Sequence, residues 1–145
     1  MALIEWHDSF SIGIANIDDH HRHLVELLNS SYDRVVCGAP PASISTVLTE
    51  LVDYASYHFV TEEFWMSRNS FPQLAEHTAE HDRFTSRLQE IRADFTQGKH
   101  ALSLDVLVFL RDWLADHILT SDADFGRYTA DHPLDPAVFD MEPHQ

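Results

Sequence analysis

Three features of the sequence predict an all-α fold: an antiparallel up-down-up-down four-helix bundle with an N-terminal arm and a short C-terminal tail. Four stretches, at about 17–37, 43–68, 71–97 and 102–125, carry apolar residues three and four apart, the spacing that gathers them on one helix face. Glycine and proline punctuate the joins, at Gly38, Pro40 and Pro41, at Pro72 and at Gly98. No run of alternating apolar and polar residues competes as a strand. Joins of about three to seven residues set consecutive helices side by side and antiparallel, so that residues 1–145 form one domain.

The arm, residues 1–16, holds Leu3, Ile4, Trp6, Phe10, Ile12 and Ile14 as apolar anchors that dock on the bundle. In helix one Asn16 is the expected N-cap, and Ile17, Leu24, Leu27 and Leu28 form the inner stripe. The stripe runs to about Val36, with Gly38 as the residue past the end. Helix two turns Leu48, Leu51, Val52, Ala55, His58, Phe59, Glu62, Trp65 and Met66 inward and Glu63 to solvent. Helix three opens on Ser70-Phe71-Pro72-Gln73, which has the spacing of a capping box, and continues through Leu74, His77, His81, Phe84, Leu88, Ile91 and Phe95 to about Gln97. Helix four starts near Leu102 or Ser103, with Val106, Phe109, Leu110, Trp113 and His117 as its stripe and Gly126 as its stop. The tail from Arg127 holds Pro133, Pro136 and Pro143 and is expected along the surface.

Composition narrows the function. With 24 acidic and 9 basic residues the formal charge is −15, which repels nucleic-acid phosphates and anionic membrane surfaces. No apolar run approaches the ~20 residues that span a bilayer, and the first residues lack the pattern of a secretory signal. The single cysteine, Cys37, excludes an internal disulfide framework; together these points predict a cytoplasmic monomer.

The eleven histidines carry the chemistry. His77 and His81 are four apart, one above the other on an apolar face. His58 and Glu62 repeat that spacing on helix two, flanked by Phe59, Trp65 and Met66. In helix one both His20 and His21 lie three or four residues from Ile17 and Leu24, so periodicity does not choose between them. In an antiparallel bundle these inserts, with His117 and an acid late in helix four, fall at one common end of the core. Buried polar groups need partners, and ligands on facing helices are how bundles build metal sites. Five histidines and two acids exceed one tetrahedral zinc and suit two octahedral ions, with imidazole and carboxylate together suiting iron. The helix-four acid is Asp116, Asp122 or Asp124. On an ideal helix Asp116 turns about 100° from His117 and Asp122 about 140°, so a widened turn between His117 and Asp122 is predicted to bring Asp122 round.

These residues resemble a family. Trp6, then Ser11-Ile12-Gly13-Ile14, Ile17-Asp18, His21 and Leu24 are similar to the start of a bacterial hemerythrin. So are His58-Phe59 with Glu62-Glu63 and Met66, the pair His77 and His81, and His117-Ile118 with Asp122. The resemblance covers roughly residues 4 to 125. It implies two iron ions in a non-haem di-iron centre that binds dioxygen reversibly. One iron would take His77, His81 and His117, and the other His21 and His58, with an open position. Glu62, Asp122 and a solvent-derived oxo or hydroxo group would bridge them. The resemblance selects His21 over His20; where the family commonly has glutamine before this histidine, this chain has His20.

The expected function is therefore dioxygen storage, delivery or sensing, with a separate delivery or signalling partner where one is used. The alternative is a di-iron enzyme on the same centre: a peroxidase, an oxidase, or a scavenger of nitric oxide or peroxide. No general acid or base beyond the ligands stands on the inner stripes, so the chain is read as a non-enzyme.

Overall fold

The structure is a computed structural model that describes residues 2–99 and 101–132. It is a four-helix bundle: α1 (Ala15–Val36), α2 (Pro41–Arg68), α3 (Leu74–Thr96) and α4 (Leu104–His117), with α4 running through a π-helical turn (Ile118–Asp122) into α5 (Ala123–Asp131). Among the described residues no helix is long and apolar enough to cross a membrane.

The arm is pinned to the bundle. Ile4, Phe10 and Ile14 are buried, and the Asn29 side chain bonds both the backbone N–H and the carbonyl of Ile4, at 3.0 and 2.8 Å. Asn16 is not the N-cap of α1, as the sequence had indicated; that place falls to Ile14, which makes no side-chain cap bond. Buried Asp18, in the first turn, serves the arm instead. Its carboxylate accepts from the Ser11 hydroxyl at 2.7 Å and the Ile12 N–H at 2.9 Å, near the positive end of the helix where a carboxylate is favoured.

Three helices end alike. After α1 the Ala39 N–H bonds Arg34 O and the Gly38 N–H bonds Val35 O, with Gly38 at φ +70°. This is the Schellman motif, which needs a left-handed residue past the helix end. Gly98 repeats it after α3, through Lys99 to Asp94 and Gly98 to Phe95. After α2 the left-handed residue is Ser70, at φ +56°, with the Phe71 N–H on Met66 O. Ser70 is thereby a helix terminator, and the expected capping box with Gln73 does not form: α3 starts at Leu74 with no side-chain cap.

Two further boundaries shift. Helix α2 begins at Pro41, since proline at the first helical position lacks only an N–H that has no intrahelical partner there. Gly126 does not stop the last helix, which continues to Asp131; a Cβ at Gly126 would lie 2.3 Å from Ile12 O, so the glycine admits the arm. The remainder of the expected tail, residues 133–145, lies outside the described residues.

Helix α4 is rotated from its expected phase. Leu107, Leu110, Leu114, His117 and Ile118 are buried, while Phe109 is 45% exposed. The segment is apolar on most sides, so spacing alone supports either phase. Two apolar clusters result. The larger includes Leu28, Leu51, Leu88, Leu107 and Leu110; the smaller comprises Ile14, Ile17, Trp65, Met66, Phe71 and Phe125. The histidines of the four helices lie between them along the bundle.

Candidate metal centre

Each helix contributes a side chain at the same depth. His21 comes from the second turn of α1, His58 and Glu62 from α2, His77 and His81 from α3, and His117 from the last residue of α4. Asp122 closes the π-helical turn, where the Ala123 N–H reaches back to Ile118 O, five residues earlier. The turn absorbs the angular misfit of an ideal helix and brings Asp122 onto the face of His117. All seven side chains are buried, none more than 3% exposed.

Each carboxylate turns its two oxygens toward different histidines. Glu62 Oε1 lies 2.8 Å from His77 Nε2 and 3.3 Å from His81 Nε2. Its other oxygen, Oε2, lies 3.3 Å from His58 Nε2 and 3.6 Å from His21 Nε2. Asp122 repeats the pattern, with Oδ1 2.8 Å from His77 Nε2 and 3.2 Å from His117 Nε2, and Oδ2 3.0 Å from His21 Nε2. Two groups of possible ligands result, each with one atom per residue within 4.8 Å of the others: Glu62, His77, His81, His117 and Asp122, and His21, His58, Glu62 and Asp122.

Hydrogen bonding alone does not satisfy this cluster. His21 Nε2, Glu62 Oε2 and both Asp122 oxygens are buried without a hydrogen bond of acceptable geometry. His81 Nε2 and His117 Nε2 face each other at 2.9 Å, an arrangement in which only one can hold a proton. Unsatisfied buried polar atoms cost free energy, and converging lone pairs are what a cation relieves. Five imidazole nitrogens with two carboxylates suit first-row divalent metals, so the cluster suits a metal centre.

The electrostatics agree. Burial pulls the His21 imidazole down, but the Asp122 and Glu62 carboxylates facing it override this and raise its pKa to about 9. Burial likewise opposes His77, and the same two carboxylates raise it to about 10. His81 is also raised against burial, by Glu62 and Glu63. His58 is lowered, because burial there outweighs the pull of Glu62. Burial alone would raise Glu62, yet His58, His21 and His77 hold it well below the carboxylate range. Burial and the Glu62 charge would raise Asp122; His117 and His21 hold it down. Two buried anions thus impose a field that favours cations.

Around the cluster, rings pack face to face. Phe59 stacks on His81 with centroids 4.0 Å apart, and Trp113 on His117 at 4.6 Å. Phe84 stacks on the far face of this assembly, 3.7 Å from Trp113. These contacts fix ring orientation and exclude water.

Residues 12–128 match the family model described as "Hemerythrin HHE cation binding domain". The chain belongs to the hemerythrin family. A bacteriohemerythrin of Stenotrophomonas maltophilia (strain R551-3) is 33% identical over 132 residues, covering 91% of this chain and 85% of that relative. One of Methylococcus capsulatus (strain ATCC 33009 / NCIMB 11132 / Bath) is 31% identical over 127 residues, covering 87% and 96%. A crystal structure of wild-type hemerythrin superposes with a TM-score of 0.83 at 30% identity, covering 87% of this chain and 97% of that one.

Within this hemerythrin-family chain, sequence reasoning misplaced one residue and missed another. Glu63 does not face solvent; its carboxylate accepts from His81 Nδ1 at 3.0 Å and is 22% exposed. The Glu80 carboxylate lies 3.9 Å from His117 Nδ1 and accepts from the Ser121 hydroxyl at 2.8 Å. Periodicity marks neither. The available signal is chemical: a ligating imidazole usually donates its outer N–H to a carboxylate, carbonyl or water. His20, left undecided by spacing, places its Nδ1 2.9 Å from His58 Nδ1, outside both ligand groups.

Proposed function

We propose that this chain binds dioxygen reversibly at a non-haem di-iron centre. His77, His81 and His117 would hold one iron and His21 and His58 the other, with Glu62 and Asp122 bridging. The observation that carries this reading is that Glu62 turns its two oxygens toward different histidine groups, and so does Asp122. Both relatives named bacteriohemerythrin support it. When bound, a pair of irons supplies the electrons that dioxygen takes up and returns.

The side chains do the rest. His21 and His58 would offer an iron one histidine fewer than His77, His81 and His117 offer the other, so the exogenous ligand would be taken on the His21–His58 side. Phe59, Phe84 and Trp113 shield the histidines on their outer side, and the Ile17, Trp65 and Phe125 cluster closes the other end. A dry pocket slows the loss of reduced iron to oxidation. Dioxygen storage, delivery or sensing would all use this one site.

The test is the absorption spectrum of anaerobically reduced, iron-loaded protein before and after air. A visible charge-transfer band that appears with air and fades on degassing supports carriage. His77→Ala and Glu62→Ala should each abolish it, and survival of the band in either variant refutes the ligand set. Steady-state consumption of peroxide or nitric oxide would instead favour the enzyme reading.

A further inference from the structure

The two histidine groups differ in what stands behind them. Behind the first group are carboxylates: Glu63 accepts from His81 Nδ1 at 3.0 Å, and Glu80 lies 3.9 Å from His117 Nδ1. Behind His58, in the second group, is an imidazole: His20 Nδ1 stands 2.9 Å from His58 Nδ1. Two Nδ1 atoms at that distance share a single proton, with one ring donating and the other accepting. For His58 to present a lone pair at Nε2, toward Glu62 and His21, its own Nδ1 must carry the proton. His20 is then the acceptor and must be protonated at Nε2.

The His20 ring is itself held. It packs edge-on to Tyr54 and His58, at 5.8 and 5.1 Å between centroids, and against Tyr57 and Trp65 at 5.6 and 5.7 Å. It therefore cannot swing freely away from His58. A neutral imidazole is a weaker acceptor than a carboxylate, so it pulls less on the His58 proton and leaves His58 the poorer donor through Nε2.

We propose that His20 is a positioning residue that fixes the metal-binding tautomer of His58 and, by standing where the other group has a carboxylate, makes the His21–His58 pocket the weaker of two unequal metal sites. This rests on the di-metal reading above and deepens it. The three-histidine pocket fills first, and the His21–His58 pocket fills second and empties first.

Zinc is the probe, since it needs no redox control. Titration of the full metal-free chain with zinc should show two steps of unequal affinity. His20→Leu should weaken the second step by about 10–100-fold, the usual cost of losing an outer partner of a ligating histidine, and leave the first unchanged. His20→Gln, which retains an acceptor oxygen, should restore most of that loss. A purely packing role would be served at least as well by leucine, and would not separate the two variants. In the wild-type zinc form, long-range ¹H–¹⁵N correlation should find His58 protonated at Nδ1 and His20 at Nε2. This readout holds even if His20→Leu fails to fold. Proton placement the other way round, or a second step unchanged in His20→Leu, overturns the role of His20. Two equal steps in wild type overturn the pocket ranking. Failure of wild type to bind two metal ions overturns instead the di-metal reading on which it rests.

Discussion

Gly126→Ala separates two physical accounts by the sign of its effect. In an exposed helix interior, alanine in place of glycine stabilises by about 0.8–1 kcal/mol. Gly126 is buried in α5, and an added Cβ would stand 2.3 Å from Ile12 O, 3.1 Å from Ile12 Cβ and 3.2 Å from Ile12 C. Atoms in good contact sit about 3.5–4.0 Å apart, so the arm or α5 must move by roughly 1 Å. The arm cannot slide cheaply, because the Ile12 N–H is held by Asp18 at 2.9 Å and the Ser11 hydroxyl by the same carboxylate at 2.7 Å. Overpacking a fixed backbone costs about 1–3 kcal/mol, and taking the upper value less the helix gain leaves a net loss near 2 kcal/mol. For a chain of this size each kcal/mol lowers Tm by about 2–4 °C, so the variant should melt about 4–8 °C lower. Thermal unfolding of the metal-free protein, followed by circular dichroism, reads it. A Tm equal to or above that of wild type would show that Gly126 is an ordinary helix glycine and that the arm does not pack as described.

Three further outcomes follow from named contacts. Asp18→Ala removes the acceptor for Ser11 and Ile12; hydrogen bonds to a buried charge are worth about 1.5–3 kcal/mol, so the denaturant midpoint should fall accordingly and protease should cut the arm faster. Glu63→Gln weakens the outer bond to His81, and zinc affinity of the three-histidine pocket should drop by about 10–100-fold, read by competition with a chromophoric chelator. In the metal-free protein His21 and His77, raised to about 9 and about 10, are protonated at pH 7. Their contribution to stability is therefore present below about pH 6.5 and is lost as pH rises through those values. Ligation requires both rings neutral, so zinc binding at pH 7 should release protons, measured by calorimetry in buffers of different ionisation enthalpy. Binding enthalpy independent of buffer would contradict the carboxylate field described above.

How much of this was legible in the sequence depends on whether the cause is local. The α2 stripe from Leu48 to Met66 is buried throughout because a single helical period fixes it. The π-helical turn before Asp122 was legible from a conflict, since an acid needed at the site stood about 140° off the ideal face and only a widened turn resolves that. The phase of α4 was not legible, because Leu107 and Leu114 are as apolar as Val106 and Phe109 and only the neighbouring helices choose between them. Glu63, Glu80 and His20 were not legible for a related reason. Their roles are set by imidazoles on other helices, at sequence separations of 18, 37 and 38 residues. Ser70 misled because serine caps helix starts far more often than it takes the left-handed conformation that ends them.

The position of the site within the bundle has an energetic logic. Burying Glu62 and Asp122 among five imidazoles costs free energy that pairing in low dielectric only partly returns. The large apolar cluster, with Leu28, Leu51, Leu88, Leu107 and Leu110, lies to one side and the small one around Phe125 to the other. Fully burying one such side chain contributes about 1.5–3 kcal/mol, so the hydrocarbon ends can carry a polar middle that would not hold a fold by itself. The same layout leaves the donor side chains almost without solvent exposure, which strengthens every charge interaction among them. A buried site that is costly to keep without a cation gains the most when a cation arrives. The donors come from four separate helices, and each is held in place by the apolar packing of its own helix.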